Sequence, residues 1–199
     1  MYKPKQREYR AFSSVEAVPN NSETPAYQVR GRAVVFDRST CLFELNGIKY
    51  NEIIDRNAFA SADMTDVIMN YNHSGKVVAR LRNNTLRLEF SNEGLDIVAD
   101  LSGTEEGRRL YEEIRGGYID KMSFAFTVDE NGGEEYDAET HTRKVLRIKK
   151  LYDVSAVDFP AYEETSLSAR KSFMEEHIED FAKLENEQRR KKLIIMSLC

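Results

Sequence analysis

The stretch Lys121-Met122-Ser123-Phe124-Ala125-Phe126-Thr127-Val128 constrains this chain more than any other. Apolar bulk recurs at every second residue, the period of a β-strand rather than a helix. Met122, Phe124, Phe126 and Val128 fall on one face, which is large enough to be core. Ser123, Ala125 and Thr127 fall on the other, which carries little volume. A strand that is full on one face and bare on the other leaves room beside the bare face, with a hydroxyl at its edge. Gly116-Gly117 lies just upstream and lets the chain turn sharply into this strand. Ser123 is therefore a candidate nucleophile. Its alternative is a serine that only hydrogen-bonds the backbone of a half-buried strand.

Strand patterns dominate the preceding sequence. Tyr27–Phe36 is a long one, and Cys41–Leu45 and Ile48–Ile54 form a hairpin around Asn46-Gly47, a pair that tolerates positive φ at both positions. Asp55 to Asp66 reads as a short helical connection. Val67–His73 is an apolar strand that turns polar at its end and is followed by the turn signal Ser74-Gly75. Val77–Leu81, Leu86–Phe90 and Leu95–Leu101 are three further strands. Thr104-Glu105-Glu106 opens a helix with an N-cap and an acidic first turn, Leu110, Tyr111 and Ile114 form its apolar stripe, and Gly116-Gly117 ends it. Asp129 to Arg143 is a polar excursion, and Lys144–Val157 is one long or bent strand. Short strands at this spacing predict a barrel or sandwich.

Residues 1–26 are polar and carry Pro19 and Pro25, and they read as a mobile N-terminal arm with room for a short strand near Tyr9–Phe12. Residues 27–162 form the compact β domain. Over residues 163–199 the composition shifts: Phe173, Met174, Ile178, Phe181 and Leu184 are spaced along one side of a helix, so this segment reads as a helical C-terminal appendage. The expected class is mainly β with peripheral helices (α+β). A hydrophobic share of 41% in 199 residues sustains a core, and a net charge of −5 offers no global basic field for nucleic acid. No apolar run approaches the ~20 residues of a membrane span, so no membrane partner is expected. Cys41 and Cys199 are far apart, which gives neither a disulfide framework nor a zinc spacing and fits a reducing cytoplasm.

A general base at neutral pH is most often a histidine, and the chain has 3 of them, His73, His141 and His177. His177 lies on the acidic appendage and His141 in the polar excursion. His73 ends an apolar strand just before a turn, which places it at the rim of the core. Asp153 interrupts the strand-like run Leu151–Ala161. A carboxylate there is either solvent-facing or paired with an imidazole, the place of the third member of a catalytic triad.

Three blocks occur in order: Asn72-His73-Ser74, Gly117–Phe126, and Asp153-Val154-Ser155-Ala156-Val157-Asp158-Phe159-Pro160-Ala161. With Gly31–Phe36 and the Glu52-Ile53-Ile54 segment leading to Ala58-Phe59, they resemble the prohead (capsid-maturation) serine proteases of tailed bacteriophages, relatives of the herpesvirus assemblins. The resemblance spans about Gln28 to Ala161. It implies an assemblin-like β-barrel with Ser123 as nucleophile, His73 as general base and Asp153 as third member. The viral relatives use a second histidine in that last place, so His141 is the rival, and no arginine stands in Phe159–Tyr162 where the assemblins use arginines at the oxyanion. The resemblance also implies hydrolysis of the scaffold, the major capsid protein and the chain itself. It places the protein in the bacterial host cytoplasm inside the assembling procapsid, with self-association and with no cofactor or metal. The competing class is a non-catalytic barrel protein of phage capsid assembly. An esterase of different fold is disfavoured, because no Gly-x-Ser-x-Gly elbow surrounds any serine.

Overall fold

The computed structural model describes residues 7–19, 27–45, 47–158 and 190. The strands are β1 (Glu8–Ala17), β2 (Gln28–Val35), β3 (Thr40–Leu45), β4 (Ile48–Ile54), β5 (Ile68–Tyr71), β6 (Ser74–Arg80), β7 (Leu86–Phe90), β8 (Gly94–Asp100), β9 (Lys121–Val128), β10 (Glu134–Asp137), β11 (Thr142–Val145) and β12 (Ile148–Val157). The helix α1 is Glu105–Arg115. Eight strands form one sheet in the order β6-β5-β12-β9-β1-β2-β8-β7, and four form a second in the order β10-β11-β4-β3. The large sheet curls until its two edges approach. There the Arg80 N–H donates to Thr85 Oγ1 at 2.9 Å, joining the end of β6 to the entry of β7. Among the described residues the result is a nearly closed barrel with α1 against it, so mainly β is the observed class.

The alternation in the sequence fills this barrel. Met122, Phe124, Phe126 and Val128 of β9 are fully buried and meet Met69 of β5, Leu95 and Ile97 of β8 and Val154 of β12 in one core. Phe124 and Phe126 stack with centroids 4.9 Å apart. Gly31 of β2 sits where a Cβ would lie 2.3 Å from Met122 Sδ and 2.9 Å from the Ser14 carbonyl, so only glycine lets the strands approach this closely. Helix α1 begins at Thr104, whose hydroxyl accepts from Gly107 N at 2.9 Å, and buries Leu110, Tyr111 and Ile114 against the barrel.

Five expectations need correction. The arm expected over residues 1–26 is, over Glu8–Ala17, a strand inside the large sheet, antiparallel to both β9 and β2. Its even residues Glu8 and Arg10 point into a buried ion cluster. Arg10 bonds Glu52 of β4 at 2.6 and 2.8 Å and Glu8 at 2.6 Å, and Arg143 of β11 bonds Glu8 at 2.6 and 2.8 Å and Glu52 at 2.9 Å. The cluster joins the two sheets, and its charges are tolerable at that depth because each is paired and hydrogen-bonded. Asp55–Asp66 is a series of turns rather than a helix, held by an isolated bridge from Asp63 to Lys150. The polar excursion contains the β10–β11 hairpin, and the long strand expected over Lys144–Val157 is broken between β11 and β12. Finally, the turn after β5 falls at Asn72-His73 rather than at Ser74-Gly75, because Tyr71 pairs with Ser74. The helical appendage of residues 163–199, with its boundary at 162, lies outside the described residues apart from Arg190.

Candidate active site

Ser123 sits in the middle of the large sheet. Register aligns it with Ser155 of β12, and Ser155 with Asn70 of β5, so three polar side chains form one row across three strands. Asp153 lies in the next row, opposite Ala125. A β-bulge between Leu151 and Asp153 makes this possible. Without it, Leu151 and Asp153 would share a face, and one of them would be misplaced. The extra residue lets Leu151 pack against Phe126 in the core while Asp153 joins Ser123 on the outer face.

His73 enters from the β5–β6 hairpin. Asn72 and His73 are the two central residues of a two-residue turn, and both have positive φ, 49° and 55°. That is the requirement of a type I′ turn, which suits the twist of the flanking strands. Positive φ is uncommon for a histidine and is held here by the surroundings. Asn72 N–H donates to the Ala156 carbonyl at 3.0 Å, and the Tyr71 hydroxyl donates to Asp158 at 2.8 Å, which ties the turn to the end of β12. The ring then lies with Nε2 2.6 Å from Ser123 Oγ and Nδ1 2.6 Å from Asp153 Oδ1. Ser123 is fully buried and Asp153 nearly so, while His73 keeps 14% of its side chain exposed. With Nδ1 protonated toward the carboxylate, Nε2 carries a lone pair toward the serine hydroxyl. The arrangement can pass a proton from Ser123 Oγ to His73 and hold the imidazolium against Asp153.

Tyr9 of β1 and Arg7 just before that strand complete the surroundings, and sequence reasoning missed both. Tyr9 lies opposite Ala125, and its ring meets the His73 ring edge to face at 4.6 Å between centroids. The room expected beside the bare face of β9 is thus filled by neighbouring side chains. Arg7 donates to Asp153 Oδ2, and its guanidinium lies 4.3 Å from the centre of the Tyr152 ring. Asp153 therefore faces an imidazole through one oxygen and a guanidinium through the other. The available signal was the alternation in Arg7-Glu8-Tyr9-Arg10, which puts Arg7 and Tyr9 on one face and the ion cluster on the other.

His141, the rival third member, stands elsewhere. It lies in the β10–β11 turn at a φ of 51°, its Nδ1 3.3 Å from the Tyr136 hydroxyl and its ring 5.1 Å from that of Tyr50. His177 lies outside the described residues. Among the described residues, no group of three or more His, Cys, Asp or Glu side chains is placed to hold a metal ion. No described helix is long and apolar enough to cross a membrane.

Among solved structures, the bacteriophage T4 capsid assembly protease is similar to this chain, with a TM-score of 0.46 and 12% identity over 78% of this chain and 99% of that one. No curated protein matches the sequence. The family model for the Caudovirus prohead serine proteases matches residues 13–180, which takes in β2 to β12 and all three residues of the Ser123–His73–Asp153 constellation. That family is one of enzymes, so the non-catalytic barrel is set aside. The match covers most of the chain, and the chain belongs to the prohead serine protease family: it is a serine protease of capsid maturation.

Proposed function

We propose that Ser123 is the nucleophile, His73 the general base and Asp153 the residue that orients and stabilises His73. The observation that carries this reading is the position of His73, bridging Ser123 Oγ and Asp153 Oδ1 at 2.6 Å on each side. In the first step His73 Nε2 takes the Ser123 proton as the oxygen bonds to the peptide carbonyl carbon. The resulting tetrahedral oxyanion collapses, the C–N bond breaks, and the imidazolium gives its proton to the leaving amine. The ester left on Ser123 is then attacked by water, whose proton goes to His73, and serine is regenerated with release of the acid. Backbone N–H groups supply the stabilisation of the oxyanion. No metal or organic cofactor enters the sequence of steps.

The substrates that fit this family are the scaffold and the major capsid protein enclosed in an assembling procapsid within the bacterial host, and the protease chain itself. Self-association inside that shell accords with a high local concentration of the chain. The test is co-expression of Ser123→Ala with the matching capsid and scaffold proteins, read on a gel beside the wild type. The expected result is full-length capsid protein in unprocessed particles, with a folded protease variant of intact length. Normal processing by Ser123→Ala would overturn the assignment of the nucleophile.

A further inference from the structure

We propose that Asn70 and Ser155 are positioning residues for the protease reaction: a buried pair that fixes the plane of the Asp153 carboxylate against His73. This rests on the Ser123–His73–Asp153 reading above. The Ser155 hydroxyl oxygen lies 3.0 Å from Asp153 Oδ1 and 3.2 Å from His73 Nδ1, and it is hydrogen-bonded to the side-chain amide of Asn70. Asp153 Oδ1 is the same oxygen that meets His73 Nδ1. Ser155 is fully buried and Asn70 is 5% exposed.

Their neighbours along the strands, Met69, Val154 and Ala156, belong to the core. A hydroxyl and an amide placed among such residues cost stability unless they are bonded. Their backbones already serve the sheet, so both side chains are free to act on the outer face. Asp153 Oδ1 has room for two donors, one from His73 Nδ1–H and one from the Ser155 hydroxyl. The amide of Asn70 turns its oxygen to the Ser155 hydroxyl in the structure, and one hydroxyl proton cannot serve both that oxygen and Asp153. A half-turn of the last Asn70 torsion brings its nitrogen round instead, so that Asn70 donates to Ser155 Oγ and Ser155 donates to Asp153 Oδ1. The carboxylate torsion is broad and close to two-fold when nothing restrains it. Here Arg7 holds Oδ2 and the Asn70–Ser155 pair holds Oδ1, so both ends of the group are fixed. Register builds this arrangement directly, since Asn70, Ser155 and Ser123 are cross-strand neighbours in one row.

A role of this kind acts on proton transfer rather than on binding. The test uses the full chain and a small fluorophosphonate that reacts with an activated serine whatever the peptide preference, with the maximal labelling rate and the half-saturating concentration measured separately. Ser155→Ala should lower the maximal rate by ~10–100-fold, the range of one hydrogen bond to a charged group, while leaving half-saturation within about 2-fold. Asn70→Ala, which leaves Ser155 unsupported, should lower the rate in the same sense. Ser155→Thr, which keeps the hydroxyl, should recover most of it. Thermal melting is followed for each variant, so that Asn70→Ala decides the matter if Ser155→Ala does not fold. Wild-type labelling rates in Ser155→Ala and Asn70→Ala, with Ser123→Ala unlabelled, would overturn this proposal alone. Labelling of Ser123→Ala at the wild-type rate would instead overturn the reading on which it rests.

Discussion

Replacing Asp153 by asparagine separates two effects that a carboxylate combines, and the neighbours of Asp153 decide which way the amide will sit. Asp153 Oδ2 receives a donor from Arg7, and Oδ1 faces His73 Nδ1. In Asp153→Asn, an amide nitrogen on the Arg7 side would set donor against donor. The Ser155 hydroxyl beside Oδ1 can rotate to accept, whereas the Arg7 guanidinium can only donate, so the amide oxygen stays with Arg7 and the nitrogen turns to His73. The ring must then accept at Nδ1 and carry its proton on Nε2, where it faces Ser123 as a donor and cannot act as a base. The expected loss in the maximal labelling or turnover rate is ~10³–10⁴-fold, about 4–5.5 kcal/mol of barrier.

Arg7 then becomes the lever. With Arg7→Met added, the amide is free to turn its oxygen to His73, and the productive tautomer returns without the negative charge. A donor facing a donor costs about 1–3 kcal/mol, so the double variant should regain roughly 10–100-fold over Asp153→Asn alone. Arg7→Met by itself should do no such thing, which makes the pair non-additive in sign. Nitrogen NMR of the His73 ring would report the tautomer in each variant directly. A loss under about 10-fold in Asp153→Asn would refute the role of the carboxylate. An equal rate in Asp153→Asn with and without Arg7→Met would refute the argument that Arg7 sets the amide.

His141→Ala should leave labelling of Ser123 within about 2-fold of wild type, because its ring bonds Tyr136 and packs on Tyr50 in the small sheet; a large loss would return the third role to it. Glu52→Ala leaves Arg10 and Arg143 short of a shared partner in the interior and should cost ~3–5 kcal/mol in denaturant unfolding. For Glu8, burial alone would raise the pKa, but Arg143 and then Arg10 outweigh it and hold it at about 2 against an ordinary 4.5. A depressed pKa gives stability that is full above about 4.5 and lost as pH falls toward 2. Glu8→Gln should therefore be less stable at pH 7 and show a shallower acid decline across that window, which denaturant midpoints against pH would check. Thr104→Ala removes the cap on α1 and should cost ~1 kcal/mol by thermal melting.

What could be read from the sequence, and what could not, follows from the range over which each residue finds its partner. Alternation in Lys121–Val128 and Leu86–Phe90 is local, and both strands have the expected bounds. The cap at Thr104 is equally local, and so is the hairpin of β3 and β4. Glu8 and Arg10 mislead because an ionised side chain in a polar segment reads as solvated. Their partners Glu52 and Arg143 stand 42 and 135 residues away, and nothing in Glu8–Arg10 announces them. Asp153 was ambiguous for a related reason. Simple alternation from Leu151 would put it in the core, and only the bulge, a property of the pairing between β12 and β9, turns it outward. Ser155 and Asn70 do carry a local signal. Each is a short polar residue with an apolar or aromatic residue on either side in its strand, as Ser123 is. One such residue is unremarkable. Three whose strands lie side by side in register form a polar row over a closed core, and the protein has to use that row or bear the cost of burying it.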